Sequence, residues 1–181
     1  MDFTERKIDG RGIFSGRVFD ITLDKIKLPN GKDATREKIH HRGGVGVLAV
    51  LEDGTVPLVR QFRYGAGKET IEIPAGKLEA GEDPESCGRR ELIEECGLEA
   101  AELVPLGSIL PTPAYCSEKI YLFLARGLTK TEWHLDEDEF LEVVYMPFEK
   151  AVEMAVSGEI DDAKTTAALL RRWALCQKKS L

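Results

Sequence analysis

Hydrophobic and polar positions along the chain fall into short runs whose period changes part-way. Val45 to Leu51 is a nearly continuous apolar run between a Gly43-Gly44 break and the tight turn Glu52-Asp53-Gly54-Thr55. That is the pattern of a strand covered on both faces, and Val56 to Phe62 returns as its partner. Upstream, Ile13 to Leu28 carries many β-branched and apolar positions, Pro29-Asn30-Gly31-Lys32 supplies turn chemistry, and a second arm runs from Ala34 to His41. Glu72 to Pro74 reads as a further short strand. The period then becomes helical. Asp83-Pro84 offers an N-cap followed by proline at the first helical position, and Gly97 is placed to end the helix. Between them Gly88, Leu92 and Cys96 recur every four residues as a narrow apolar stripe. Strand-like runs follow at Leu103 to Leu110, Ile120 to Ala125 and Leu141 to Met146. Pro147 opens a helix to about Ser157, and Asp161 or Asp162 caps a last one reaching about Gln177. Strands around a central helix, with two helices at the end, indicate an α+β or mixed α/β fold.

Length and composition narrow the function. A chain of 181 residues suits one main domain with a smaller sheet, divided near residue 42 into an N-terminal β arm (1–42) and a larger domain (43–181). Its net charge of −7 lacks the basic surface that nucleic-acid binding requires, so no nucleic-acid partner is expected. Small anionic substrates remain open if a divalent cation or local arginines offset the repulsion. The first ten residues are charged and lack an apolar leader core, and no apolar run reaches membrane-spanning length. Cys87, Cys96, Cys116 and Cys176 have no C-x-x-C spacing, which argues against zinc and for a reducing, cytoplasmic setting.

The chemistry concentrates between Gly76 and Leu98. On a helix Glu91 and Glu95 share one face, with Cβ atoms about 5–6 Å apart, and Glu94 borders it. Like charges so placed destabilise a bare helix. A hard divalent cation with oxygen ligands would offset them. The plain alternative is a solvated acidic face on which Arg90 and Glu94 form an i,i+4 pair.

The spacing of Gly76, Glu82, Arg90-Glu91-Leu92, Glu94-Glu95 and Gly97-Leu98 resembles the full Nudix box, without departure at a defining position. The resemblance implies a Nudix α/β/α sandwich with an additional N-terminal antiparallel β-sheet. It also implies Mg²⁺ (or Mn²⁺) held by Glu91 and Glu95 with the Ala75 carbonyl. Glu94 and Glu95 carry catalysis in this reading, and Glu82 and Arg90 pair as supports within the loop–helix–loop.

The flanks resemble the ADP-ribose pyrophosphatase branch. Arg60-Gln61-Phe62-Arg63 precedes the box, Glu72-Ile73-Pro74-Ala75-Gly76 leads into it, and Pro113 lies downstream in Pro111-Thr112-Pro113-Ala114-Tyr115. Arg60 and Arg63 are three apart and point to opposite faces of a regular strand, so at most one serves the site unless the strand ends or bulges between them. The branch assigns substrate contact to Arg63; Arg60 is the weaker candidate. In the acidic run 136–139, Glu137 matches the base and Glu139 a metal contact. Arg36 and Phe19 are candidates for the nucleoside side, and Pro113 lies in a substrate loop. The branch further implies a homodimer that exchanges its N-terminal sheet. The activity expected is hydrolysis of ADP-ribose to AMP and ribose 5-phosphate. The alternatives are hydrolysis of other nucleoside diphosphate sugars such as GDP-mannose, and a non-catalytic module that senses ADP-ribose. His40, His41 and His134 suggest neither a triad nor zinc.

Overall fold

The computed structural model describes residues 1–132 and 140–178 and divides into two compact units. The first comprises Met1–Gly43 and Leu110–Lys119. Its sheet is antiparallel, with strands β1 (Arg6–Ser15), β2 (Phe19–Lys27) and β3 (Asp33–His41) in that order. The apolar pattern from Ile13 to Leu28 therefore spans two strands. A turn closed by the Gly16 N–H donating to the Phe19 carbonyl (3.1 Å) separates them. β1 lies within the stretch expected to be β, although all its residues are exposed and no face is selected for burial. The segment Leu110–Lys119 joins this unit through backbone bonds. Ile39 donates to the Tyr115 carbonyl (2.7 Å), and Ser117 donates to the Ile39 carbonyl (2.9 Å).

The second unit holds Gly44–Ile109 and the described chain from Ile120 onward. One of its sheets has four strands, β7 (Ala75–Lys77), β4 (Gly44–Ala49), β9 (Ile120–Lys130) and β8 (Leu98–Ile109), in that spatial order. β4 runs parallel to β9 and antiparallel to β7. The other has three strands, β10 (Leu141–Pro147), β5 (Thr55–Arg63) and β6 (Lys68–Glu72). β4 is buried throughout, as its continuous apolar run requires. Val45, Val47 and Ala49 pack in one core with Cys87, Leu92 and Cys96 of helix α1 (Pro84–Cys96). Leu48 packs in a second core with Phe148, Ala151 and Val152 of α2 (Phe148–Ser157) and Ala168 and Leu169 of α3 (Ala163–Lys178). Alternation along a strand sends side chains to opposite faces, so the sheet separates α1 from α2 and α3.

The expected strand at Glu72 to Pro74 is corrected: β6 ends at Glu72 and β7 begins at Ala75. Pro74 has no N–H for a ladder, and the chain changes sheet here. The Ile73 N–H instead donates to the Thr165 hydroxyl (2.9 Å), and the Pro74 carbonyl accepts from Val47 N–H (2.9 Å). β8 and β9 also run further than their apolar runs, pairing from Leu98↔Lys130 to Ile109↔Ile120.

Candidate active site

Helix α1 begins and ends as its sequence demands. The Asp83 carboxylate accepts from the N–H groups of Glu85 and Ser86 (both 3.0 Å), Pro84 needs no acceptor, and Gly97 closes the helix in the left-handed region (φ 60°). These caps set which residues face the backbone of β7. Glu91 and Glu95 do so, at 6% and 3% exposure, whereas Glu94 stands at the rim.

Arg90 organises the acids. It grips Glu82 with two nitrogens, Nε to Oε1 (3.1 Å) and Nη2 to Oε2 (3.2 Å). Its Nη1 donates to Glu91 Oε1 (2.8 Å) and to Glu94 Oε2 (2.9 Å). The pair of Glu82 and Arg90 implied by the box is thus present, and so is the i,i+4 pair with Glu94. Three carboxylates share one guanidinium. Hydrogen bonds to Glu82 above all raise the Arg90 pKa, and Arg90 in turn lowers that of Glu82. Burial pushes the neighbouring Cys87 thiol up to about 12, so it is no nucleophile at neutral pH.

Among the described residues no three His, Cys, Asp or Glu side chains already form a metal-holding group. The donor set nevertheless suits a hard divalent ion, being two buried carboxylates one helical turn apart with backbone beside them. Glu95 Oε2 accepts from Ala75 N–H at 2.8 Å. The Glu91 carboxylate lies over Gly76, where a Cβ would stand 1.7 Å from Oε1. Only glycine leaves that cradle open. The residues present fit the cation that their charges call for.

A second charged cluster surrounds Arg63 at the end of β5. Its Nε and Nη2 donate to the two oxygens of Glu72 (2.8 and 2.6 Å). Glu72, 2% exposed, also accepts from Thr70 Oγ1 (2.6 Å) and from Lys164 Nζ. Lys164 donates to Asp162 Oδ1 (3.0 Å), and Asp162 caps α3 by accepting from Thr165 N–H (2.9 Å) and its hydroxyl (2.6 Å). Burial opposes the charge on Glu72, but Arg63, Lys164 and Thr70 outweigh it and hold the carboxyl at about 2. A cavity of about 360 Å³ opens here, lined in part by Arg63, Lys68, Thr70, Glu72, Asp161 and Lys164.

Arg60 lies across from Glu142 on β10 and pairs with it (3.3 Å), so the two arginines part as their spacing requires. Arg36 pairs with Glu5, Phe19 packs against Phe14 (ring centroids 6.0 Å apart), and Pro113 is exposed in a turn; all belong to the first unit. Glu137, Glu139 and His134 lie outside the described residues. Of the two remaining histidines, His40 bonds Thr22 (3.0 Å) and His41 Nδ1 accepts from Gly43 N–H (3.0 Å). The partners of Arg63 were not foreseen. Glu72 was visible as part of the approach to the box, but nothing local in sequence links it to Lys164.

The NUDIX domain family matches residues 40–169, most of the chain. This chain belongs to the Nudix family. Among its Nudix relatives is an ADP-ribose pyrophosphatase of Bacillus subtilis (strain 168), 42% identical over 91% of this chain and 90% of that one. A methanol dehydrogenase activator of Bacillus methanolicus is 40% identical over 92% and 91% of the two chains. A GDP-mannose pyrophosphatase of Salmonella arizonae is 36% identical over 83% and 84%. The fold also matches a crystal structure described as an ADP compounds hydrolase, at TM-score 0.82 and 22% identity over 97% and 95% of the chains. The mixed α+β architecture is therefore the Nudix fold. No helix among the described residues is long and apolar enough to cross a membrane.

Proposed function

We propose that this Nudix protein is a Mg²⁺-dependent hydrolase that cleaves the pyrophosphate of ADP-ribose to AMP and ribose 5-phosphate. The observation carrying the reading is the buried carboxylate pair of Glu91 and Glu95, set against Ala75-Gly76 and braced by Arg90. When bound, Mg²⁺ neutralises the diphosphate and lowers the pKa of water. Glu91, Glu95 and the Ala75 carbonyl would hold the ion. Mn²⁺ offers similar chemistry. Arg63 binds a phosphate oxygen through a guanidinium N–H, and Arg90 gathers and orients Glu82, Glu91 and Glu94. Glu137 would take the proton of the attacking water, and Glu139 would add a further contact to the ion. Water adds across the P–O–P linkage, one P–O bond breaks, and two phosphate monoesters leave.

ADP-ribose is favoured because the B. subtilis relative of that name is 42% identical over nearly the full length of both chains. The GDP-mannose pyrophosphatase relative supports a second reading, in which another nucleoside diphosphate sugar is the substrate. A panel of ADP-ribose, GDP-mannose and UDP-glucose with Mg²⁺ separates them. AMP released fastest from ADP-ribose is the expected result, and faster turnover of GDP-mannose overturns it. No release from any of the three would point to a sensing module.

The same proposal includes a homodimer built through the N-terminal sheet, with Arg36 and Phe19 beside the nucleoside of the partner's site and Pro113 in the substrate loop. Exposed Phe3, Ile8, Ile13 and Phe14 in that unit supply apolar surface for it. Light scattering should give twice the chain mass of 20.1 kDa, and a monomer would refute the exchange. Four free cysteines, two of them buried, suit a reducing cytoplasm.

A further inference from the structure

Arg63 ends β5, where its carbonyl accepts from the N–H groups of Ala66 and Gly67 (3.0 and 2.9 Å) as the chain turns away. At such a position a long side chain has few neighbours to restrain it, and this one keeps 42% of its surface exposed. An unrestrained arginine gives up rotamer freedom each time it grips an anion, and one already held does not. Here the holding group is buried. Glu72 takes the Nε/Nη2 edge with both oxygens, and Lys164 stands behind it, fixed to Asp162 at the first turn of α3. Nη1 makes no hydrogen bond among the described residues, so the guanidinium presents a free edge.

We propose that Glu72 is a positioning residue, which with Lys164 and Asp162 behind it locks Arg63 so that its Nη1 edge faces the substrate diphosphate. The inference rests on the reading of Arg63 as a phosphate contact. Glu72 itself touches no substrate in this scheme. It acts by geometry, since a carboxylate engaged by two parallel N–H bonds fixes both the plane and the direction of the guanidinium. A side chain with any other shape or charge at position 72 lets that plane turn.

The test is a double-mutant cycle on kcat/KM for ADP-ribose. Arg63→Ala first measures the contact itself. Glu72→Gln should then lower kcat/KM by about tenfold in the wild-type background and by less than about twofold in the Arg63→Ala background. Added guanidinium chloride, against a sodium chloride control, should partly restore Arg63→Ala. It should fail to restore Arg63→Ala/Glu72→Gln, because the ion has lost its seat. A purely structural role for Glu72 would leave the two backgrounds equally impaired and the rescue intact, which overturns the proposal while leaving the functional reading standing. If Arg63→Ala itself turns over ADP-ribose normally, the phosphate contact fails and the positioning role falls with it. Should Glu72→Gln not fold, Glu72→Asp serves in its place. It keeps the charge for Lys164 but shortens the arm, and the same non-additivity with Arg63→Ala is expected.

Discussion

Gly76→Ala isolates the cradle under Glu91. A Cβ at position 76 would lie 1.7 Å from Glu91 Oε1, 1.9 Å from its carboxyl carbon and 2.5 Å from Oε2. Ordinary contact needs about 3.4 Å or more, so the carboxylate must retreat by well over 1 Å. Its hydrogen bond from Arg90 Nη1, 2.8 Å long, cannot survive that movement. A charge-assisted bond of this kind contributes about 1.5–3 kcal/mol, and the lower backbone freedom of alanine in the unfolded chain returns about 0.4–1 kcal/mol. The net loss of stability should be about 1–2 kcal/mol, a few degrees in Tm. Activity should suffer far more, because a displacement of about 1 Å in a catalytic arrangement costs about a hundredfold. Calorimetry and kcat/KM at saturating Mg²⁺ give the two numbers. Gly76→Ala/Glu91→Ala should be no less active than Glu91→Ala alone, since the clash has then gone. A Gly76→Ala protein within twofold of wild-type activity would refute the argument, as it would mean the carboxylate can work from elsewhere.

Three further outcomes are expected. Glu95→Gln keeps an acceptor for Ala75 N–H but removes the charge, so kcat should fall by about a hundredfold or more while the thermal midpoint stays near wild type; retained turnover would remove Glu95 from the metal. Chelation by EDTA should abolish hydrolysis without altering the far-ultraviolet circular dichroism, because Arg90 still braces α1, and added Mg²⁺ should restore turnover and raise Tm. The third concerns acid. Glu72 titrates at about 2 when folded against 4.5 when free, so its depressed value stabilises the fold above pH 4.5 by about 3 kcal/mol. That contribution fades as pH falls toward 2. Urea unfolding from pH 7 to pH 2 should show Glu72→Gln converging on wild type at the acid end, and parallel curves would contradict it.

The parts of the fold legible in sequence are those with local causes. Asp83, Pro84 and Gly97 delimit α1 because caps act within a few residues, and the buried run of β4 declares itself by its apolar continuity. The spacing of Arg60 and Arg63 foretold their separation because a strand has a period of two. β7 was hidden because three residues are too few to show a period, and the start of β1 went unmarked within the expected β arm because neither of its faces is buried. The box exposed Arg90 and its acids, which lie close together in sequence. Glu72 meets Lys164, and Ile73 meets Thr165, only through tertiary packing, and a sequence separation of 92 residues in each pair leaves no local trace. Glu137 and Glu139 fall outside the described residues.

The parallel pairing of β4 with β9 bears on how the protein reaches its native state. Gly44 to Ala49 lies beside Ile120 to Ala125, so this ladder closes a loop containing the whole of α1 and β8. The β8–β9 pair is sequence-local, and loop-closure entropy favours it earlier. β7, which carries the Ala75-Gly76 backbone under Glu91, pairs with β4. If Glu91 and Glu95 hold the ion as proposed, the backbone beneath them is thus attached to a strand whose other edge closes a long loop. As proposed, the ion would be held only once β7 has paired with β4 and α1 has packed over it. In refolding experiments Mg²⁺ should therefore slow unfolding while leaving the folding rate nearly unchanged.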